Sequence, residues 1–281
     1  MGQLDQLVSN TSFTGTPDEE WFYLVSVAIE AQGGPTLPLM LHAIDAARYN
    51  DETTVIHNLL IHRDTLAHLG TTLDRMYERC DAGVFYNQLR PFLAGTKSME
   101  QFGLPDGIRF NNGRETLPLR SYRGGSNAQS SLIQFFDIVL GIEHTGSAGV
   151  FLHEMRDYMP GPHRAFLEDV AKVANIRQFA EARRQSNPAV YAAYARCLEM
   201  LGALRGRHLQ VVARYVISQS RKVDGAQRAT QRPVGHWKQE KNKASLVGTG
   251  GTDLIPFLKR TLQKTIEPIT NIIYGSEVVY N

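Results

Sequence analysis

The sequence is poor in the features that mark secreted, zinc-binding and membrane proteins. Cys80 and Cys197 are the only cysteines in 281 residues, and they are too far apart to form a C-x-x-C pair. We therefore expect neither a disulfide framework nor a cysteine zinc site, and a reducing cytoplasm fits this composition. No apolar run approaches the roughly 20 residues that a membrane-spanning helix needs. The first residues, MGQLDQLVSNTSFTG, lack the basic and apolar parts of a secretory signal.

A phosphate-binding loop is also missing. The stretch LVGTGGTDLI, residues 246–255, is rich in Gly and Thr. Its glycines match neither G-x-x-x-x-G-K-[ST] nor G-x-G-x-x-G, and polar residues precede it where a buried strand would be required. Because Gly adopts positive φ without strain, we interpret this stretch as a mobile flap.

Neither sign of charge predominates, since 30 Lys and Arg stand against 28 Asp and Glu. Only residues 219–245 are biased, with seven basic and two acidic residues. A nucleic-acid interface would interleave aromatic side chains with such charges, and this segment contains Trp237 alone. We therefore expect no nucleic-acid partner, and we interpret residues 219–247 as a mobile basic loop that leads to the glycine flap.

Helical periodicity dominates the rest of the chain. Apolar residues at i, i+3 and i+4 predict helices over residues 18–32, 37–49, 52–80, 83–95, 129–144, 148–159, 162–174 and 189–218. The helix over 83–95 should be disturbed at Pro91. Residues 97–125 are punctuated by Gly and Pro, which predicts a loop with room for a short strand pair. The fold class is therefore all-α.

Most of the nine histidines follow no pattern, and His208 is the exception. His153-Glu154 begins like a zinc protease motif, but Asp157 stands where its second histidine belongs. His208 lies on an apolar helical stripe with Leu201, Leu204, Val211, Val212 and Tyr215. The spacing alone leaves two interpretations open. One is a hydrogen-bonded core histidine, and the other is an axial ligand of a haem iron.

Four separated motifs carry a family resemblance. They are GGSNAQSSLIQFFDIVLGIEH, FLHEMRDYMPGPHRAFL, RGRHLQVVARYV and GTGGTDLIPFLK. In this order they resemble the haem domain of indoleamine 2,3-dioxygenase, and the similarity runs from about Trp21 to about Lys264. The resemblance implies an all-helical fold that binds haem b through a histidine-ligated iron. It also implies dioxygen and L-tryptophan, or a related aromatic amino acid, as partners.

The resemblance assigns the cofactor side of the site. His208 stands at the position of the family's iron ligand. Asp137 matches an acid on the same side, where a carboxylate orients a ligating imidazole and raises its basicity. Arg205 matches an arginine beside a haem propionate, and Ser126 matches a serine beside the haem.

The resemblance also assigns the substrate side. Phe22 and Phe85 match aromatic pocket residues that can hold an indole ring, and Ser26 matches a polar pocket position. Arg90 matches a residue that can grip a carboxylate. Thr249 matches the threonine of the family's flexible loop, whose hydroxyl can bind the amino-acid end while closure expels water.

Two departures from the family pattern affect these expectations. Asn127 and Ala128 replace a small residue and a glycine, so that an amide could reach bound oxygen or substrate. We divide the chain into an N-terminal extension, residues 1–16, and a haem-binding catalytic domain, residues 17–281. The family's small N-terminal domain has no match here. We therefore expect a homo-oligomer, most simply a dimer, with the distal side covered by a neighbour or by the first twenty residues.

The expected reaction is haem-dependent opening of the indole C2–C3 bond, which gives an N-formylkynurenine-type product in tryptophan catabolism. Ser26, Ser126 and Thr249 are the polar candidates for a catalytic role, but neither serine is a good base, so the cofactor should carry the chemistry. One rival is a related haem oxygenase of specialised metabolism that hydroxylates or rearranges an aromatic amino acid. Another is a haem or gas sensor without turnover, although Phe22, Phe85 and Arg90 argue against it.

Overall fold

The chain folds into packed helices. A computed structural model describes residues 4–97, 105–113, 116–222 and 248–275, without the side chains of 271–275. The principal helices are α1 (Pro17–Gly33), α2 (Thr36–Arg48), α3 (Glu52–Asp74), α4 (Ser131–Val139), α5 (Gly146–Met155), α6 (Gly161–Val173), α7 (Ile176–Ala182), α8 (Pro188–Val212) and α9 (Leu254–Gly275). Within the described ranges there is no strand, and the loop after residue 105 holds two isolated antiparallel bridges, Ile108–Arg120 and Asn111–Thr116. The all-α prediction is confirmed, whereas α7 and α9 were not predicted.

The 25-residue helix α8 forms the centre of the core. Asn187 caps its first turn by accepting a hydrogen bond from the Ala189 N–H, and Pro188 occupies a position where a missing N–H is tolerated. One face of α8 packs against α3, and α9 covers another part of it. The buried face supplies Val190, Ala193, Tyr194, Cys197, Leu198, Leu201 and Leu204. This packing removes a continuous apolar stripe from water, which is the main driving force for folding.

Two helical segments depart from regular α geometry. The predicted helix over 83–95 is a short helical turn followed by a π-helix, Phe85–Leu89, and a further turn, Arg90–Leu93. The disturbance expected at Pro91 is present, because proline lacks the N–H that a helix needs. The Arg90 N–H bonds instead to the Phe85 carbonyl, five residues back. A second π-helix, Ala213–Ile217, follows α8. Such segments are frequent at functional sites.

The segment expected as an N-terminal extension is tied to the start of α1. The buried Glu19 carboxylate accepts hydrogen bonds from Ser12 Oγ, the Phe13 N–H, and both the N–H and Oγ1 of Thr14, at 2.6–2.8 Å. Burial opposes ionisation of Glu19, but these hydrogen bonds outweigh it and bring its pKa to about 2. The carboxylate therefore holds residues 12–14 against the helix.

The helical line after α8 continues to Lys222, so residues 219–222 are helix rather than loop. Gln219 is buried and donates to the Arg214 carbonyl, which anchors this last turn. The rest of the predicted basic loop, residues 223–247, lies outside the described residues. In the part of the chain that the structure covers, no helix is both long and apolar enough to cross a membrane.

His62 is a polar residue within the apolar core. It lies on α3, is fully buried, and its ring meets Phe136 edge-on at 4.9 Å between centroids. Within the described part of the chain, neither ring nitrogen has a hydrogen-bond partner. Because burial disfavours the imidazolium, the pKa of His62 falls to about 3.

This burial predicts acid lability. Below the ordinary histidine pKa of 6.5, the unfolded chain binds a proton that the folded chain refuses. The stability that the neutral His62 contributes is therefore complete above pH 6.5 and falls by about 1.4 kcal/mol per pH unit until pH 3. In urea titrations, His62→Leu should remove roughly 2–3 kcal/mol of the loss between pH 7 and pH 4.5. His57→Leu, at an exposed position on the same helix, should leave the loss unchanged. An equal acid response in the parent and His62→Leu would contradict the prediction.

Candidate functional site

His208 lies in the last two turns of α8 and faces the loop that precedes α4. Its Nε2 is 3.1 Å from Nδ2 of Asn127. An amide nitrogen can only donate, so Nε2 is the acceptor and carries the free lone pair of the ring. Burial, followed by the Arg205 charge, lowers the pKa of His208 to about 4, and the imidazole is neutral at physiological pH. A neutral imidazole is the form that binds a metal.

A buried ion pair stands beside His208. Asp137, on α4, accepts two hydrogen bonds from Nη2 of Arg205 at 2.7 and 2.8 Å and one from His144 Nε2 at 3.0 Å. Nη1 of Arg205 also bonds to Thr265 Oγ1 on α9. Burial opposes ionisation of Asp137, but the Arg205 charge and the His144 hydrogen bond hold its pKa below the usual range.

This arrangement changes the roles that were predicted for the pair. The Asp137 carboxylate bonds to Arg205 and His144, not to the imidazole of His208. Through Arg205, three residues before His208, the acid is linked to the turn of α8 that carries the imidazole. The charge of Arg205 is neutralised by Asp137, which weakens its attraction for a haem propionate.

The predicted aromatic pocket residues are brought together. The rings of Phe22 and Phe85 are 5.2 Å apart between centroids, and Phe85 meets Tyr215 edge-on at 5.6 Å. The Phe22–Phe85 distance is direct contact, so the two rings form one continuous wall rather than a slot around a ligand. Tyr215 follows His208 by two turns, and its hydroxyl donates to the Met76 and Cys80 carbonyls. The wall is thereby joined to the helical line that carries His208.

The predicted polar residues have local partners. The Arg90 guanidinium lies over the Tyr86 ring at 5.4 Å, and burial lowers its pKa from the usual value. Ser26 Oγ donates to the Phe22 carbonyl in its own helix. Ser126 Oγ caps the turn Asn127–Gln129 by accepting from the Ala128 N–H. Among the residues that the structure describes, neither serine has a basic hydrogen-bond partner that would make it a catalyst.

The glycine stretch is placed against the same loop. The Thr249 hydroxyl donates to the Gly125 carbonyl at 2.5 Å. The Gly250 carbonyl accepts from Nη1 of Arg123 at 2.8 Å. Asn127, which contacts His208, lies two residues after Gly125, so the flap, the loop and His208 form one connected site.

Sequence reasoning missed four polar residues of this site. They are Arg123, His144, Glu154 and Thr265. Glu154 belongs to the incomplete zinc motif at His153-Glu154. Arg123 directly precedes the motif GGSNAQSSLIQFFDIVLGIEH, and His144 is its last residue. No sequence spacing signals their partners, because the contacts join residues that are 7 to 127 positions apart.

Fold and site together define an all-helical protein in which a neutral imidazole on a long helix can bind a metal. An aromatic wall meets the same helical line two turns further on, at Tyr215. The donor set fits a haem, whose iron takes such an imidazole as its axial ligand. Iron would use the lone pair that now accepts from Asn127, so the amide must turn away where haem binds.

The chain belongs to the indoleamine 2,3-dioxygenase family, whose model matches residues 1–268. It is 42% identical to an indoleamine 2,3-dioxygenase of Penicillium citrinum, over 98% of this chain and 60% of that protein. It is 39% identical to the indoleamine 2,3-dioxygenase of Saccharomyces cerevisiae, over 94% of this chain and 62% of that protein. A 6-hydroxytryptophan 2,3-dioxygenase of Fusarium equiseti is 38% identical, over 95% of this chain and 65% of that protein. The chain thus spans about three fifths of the length of these relatives.

The ion pair yields a stability prediction. Asp137→Asn should lower the free energy of unfolding by about 3 kcal/mol or more, because it leaves the Arg205 charge buried without its counter-ion. The double variant Asp137→Leu/Arg205→Met should lose much less, since neither charge then remains. Urea denaturation measures both. Asp45→Asn, which breaks an exposed pair with Arg48, should cost under about 1 kcal/mol. A double variant as unstable as Asp137→Asn would refute the assignment.

Proposed function

We propose that this chain is a haem-dependent dioxygenase that opens the indole C2–C3 bond of L-tryptophan or a tryptophan-like compound. The product would be an N-formylkynurenine-type amide. The observation that carries the proposal is the neutral His208 imidazole, whose Nε2 lone pair faces the site. Family membership and the motif position of His208 support the same assignment.

Haem b would be held by His208 through its iron, with Asp137 and Arg205 setting the direction of the imidazole from behind. Ser126 would shape the loop beside the haem by capping the turn that carries Asn127. When bound, the haem supplies the iron that activates dioxygen. The protein then has to bind, orient and shield the substrate.

Each of these tasks has a candidate residue. Phe22 and Phe85 offer one apolar wall against which an indole ring can pack. Arg90, desolvated beside Tyr86, would grip the carboxylate, and burial strengthens such a charge-assisted bond. Thr249 would meet the amino-acid end of the substrate as the flap excludes water. Ser26 would contribute a hydroxyl at the base of the wall.

A second candidate is the oxidation of a modified tryptophan, or the insertion of one oxygen atom rather than two. It is favoured by Asn127, an amide in contact with the position that iron would take. The relative named for 6-hydroxytryptophan also supports a substituted substrate.

The homo-oligomer and the cytoplasmic location remain predictions. Phe13 and Phe92, exposed and stacked at 5.5 Å, are apolar surface that an oligomer could bury.

The reaction is tested by mixing ferrous protein with dioxygen and L-tryptophan and by measuring the molecular mass of the product by mass spectrometry. Addition of two oxygen atoms supports the dioxygenase. One added atom supports the second candidate. If the haem-bound protein forms no product from L-tryptophan or 6-hydroxytryptophan, both candidate reactions are contradicted. A haem or gas sensor without turnover would then be the remaining interpretation.

The iron ligand is tested by replacing His208. His208→Ala should remain helical but retain little haem after reconstitution, because its iron would lose the axial bond. Haem content and the ferrous absorption spectrum are the measurements. His153→Ala, at an exposed position on α5, serves as the control and should bind haem as the parent does. Full haem content and an unchanged spectrum in His208→Ala would remove this residue from the site.

The carboxylate grip is tested by Arg90→Ala. Its affinity for L-tryptophan should fall roughly 10–150-fold, the usual range for a lost charge-assisted bond, while affinity for indole stays the same. Binding titrations followed by the haem spectrum give both values. Equal losses for the two ligands would point to a damaged pocket, and no loss would place the grip elsewhere.

A further inference from the structure

The glycine flap is held in place by side chains that lie outside the predicted site. Residues 248–252 form a compact turn, in which the Gly248 N–H bonds to the Thr252 carbonyl and the Gly251 N–H to the Gly248 carbonyl, each at 2.8 Å. Gly251 has a φ of 82°, which favours glycine. The turn therefore has a defined shape of its own and can be fixed at a few points.

The turn lies directly on the loop before α4. A Cβ at Gly124 would come within 2.5 Å of the Thr249 carbonyl oxygen, so the two backbones approach as closely as glycine permits. A Cβ at Gly250 would lie 3.1 Å from the Phe151 ring and 3.2 Å from Ser126 Cβ. The flap therefore packs closely on this loop and on the Phe151 ring. Polar side-chain contacts add to this packing.

Arg123 supplies a charge-assisted contact to the flap. Its Nη1 donates to the Gly250 carbonyl at 2.8 Å, and its Nη2 donates to Glu154 Oε2 at 2.7 Å. Its guanidinium also lies 5.1 Å from the centre of the Phe151 ring. The side chain is only 15% exposed. One cation thus joins the flap to α5, with an aromatic ring beneath it.

Glu154 is held for this task from both sides. Its second oxygen accepts from Lys97 Nζ at 2.9 Å. The hydrogen bond from Arg123 is the largest cause that brings the pKa of Glu154 to about 2. The carboxylate is therefore ionised at physiological pH and stays paired with Arg123.

We propose that Arg123 and Glu154 form a latch that keeps the flap closed over the candidate site. Glu154 fixes the guanidinium against α5, and the guanidinium holds the Gly250 carbonyl, which keeps Thr249 on Gly125. Both are positioning residues, because they act on the substrate only through the flap. The kinetic consequence rests on the proposed function, while the mechanical one does not.

The mechanical part is tested by hydrogen–deuterium exchange of the full chain, in peptides that contain residues 248–252. Arg123→Met keeps the length and the contact with Phe151 but loses both charge-assisted bonds. Exchange in the flap should rise about 10-fold or more. Glu154→Gln should give a smaller rise in the same peptides. In the double variant the two effects should not add, since one latch is broken.

The matched control is Arg48→Met, which breaks the exposed pair with Asp45 within α2. It should leave flap exchange unchanged. Arg123→Lys keeps the charge but cannot bond to Gly250 and Glu154 in the same geometry, so it should recover only part of the protection. Unchanged flap exchange in a folded Arg123→Met, or an equal rise in the control, would overturn the latch. If Arg123→Met does not fold, Glu154→Gln decides by the same criterion.

The kinetic part separates the latch from the reaction. A loosened flap should raise KM for the indole substrate about 10-fold while kcat changes little, because the reacting centre is untouched. A matched loss of kcat and haem content would indicate general damage and contradict the latch. If the protein turns over substrate but Arg123→Met leaves hydrogen exchange in the flap unchanged, the latch alone is contradicted. A flap that responds in a chain without oxygenase activity would sink the proposed reaction and leave the latch standing.

Discussion

The buried pair of Asp137 and Arg205 is the interaction on which the geometry around His208 depends. It ties α4 to α8, and the contact of Arg205 with Thr265 extends the tie to α9. Arg205 and His208 are three residues apart, nearly one helical turn. The pair therefore ties the turn of α8 that carries His208 to α4 and α9. Desolvating two charges stabilises a fold little, so orientation is the better explanation for this pair.

A single loop carries that orientation to the rest of the site. Within residues 123–127, the Gly125 carbonyl accepts a hydrogen bond from Thr249 of the flap, and Arg123 donates to the Gly250 carbonyl of the flap. Asn127 of the same loop contacts His208. Ser126 caps the turn in the middle and keeps these contacts in register. Movement of this loop would be felt at both the flap and the imidazole.

Much of the fold was readable from periodicity. The apolar spacing predicted α1, α2, α4, α5, α6 and α8, because these helices bury one regular face. The irregular stretch before α4 was predicted from its Gly and Pro residues. The spacing predicted one helix over residues 52–80, whereas α3 ends at Asp74 and a separate short helix, Met76–Arg79, follows. The break near Arg75 does not change the apolar pattern, so the sequence could not show it. It placed a disturbance at Pro91, where the chemistry of proline demands one, but could not predict the π-helix that results. The second π-helix, Ala213–Ile217, contains neither proline nor glycine and gave no local signal.

The site shows the same division. Its place on an apolar stripe singled out His208, and the family resemblance singled out Asp137 and Thr249, without any structure. Their partners were decided only by tertiary packing. Asp137 bonds to Arg205 and His144 instead of His208, and Arg123 meets Gly250 across 127 positions of chain. Hydrogen bonds act over about 3 Å in space, and a sequence records order along the chain, so only the packed helices determine which donor meets which acceptor.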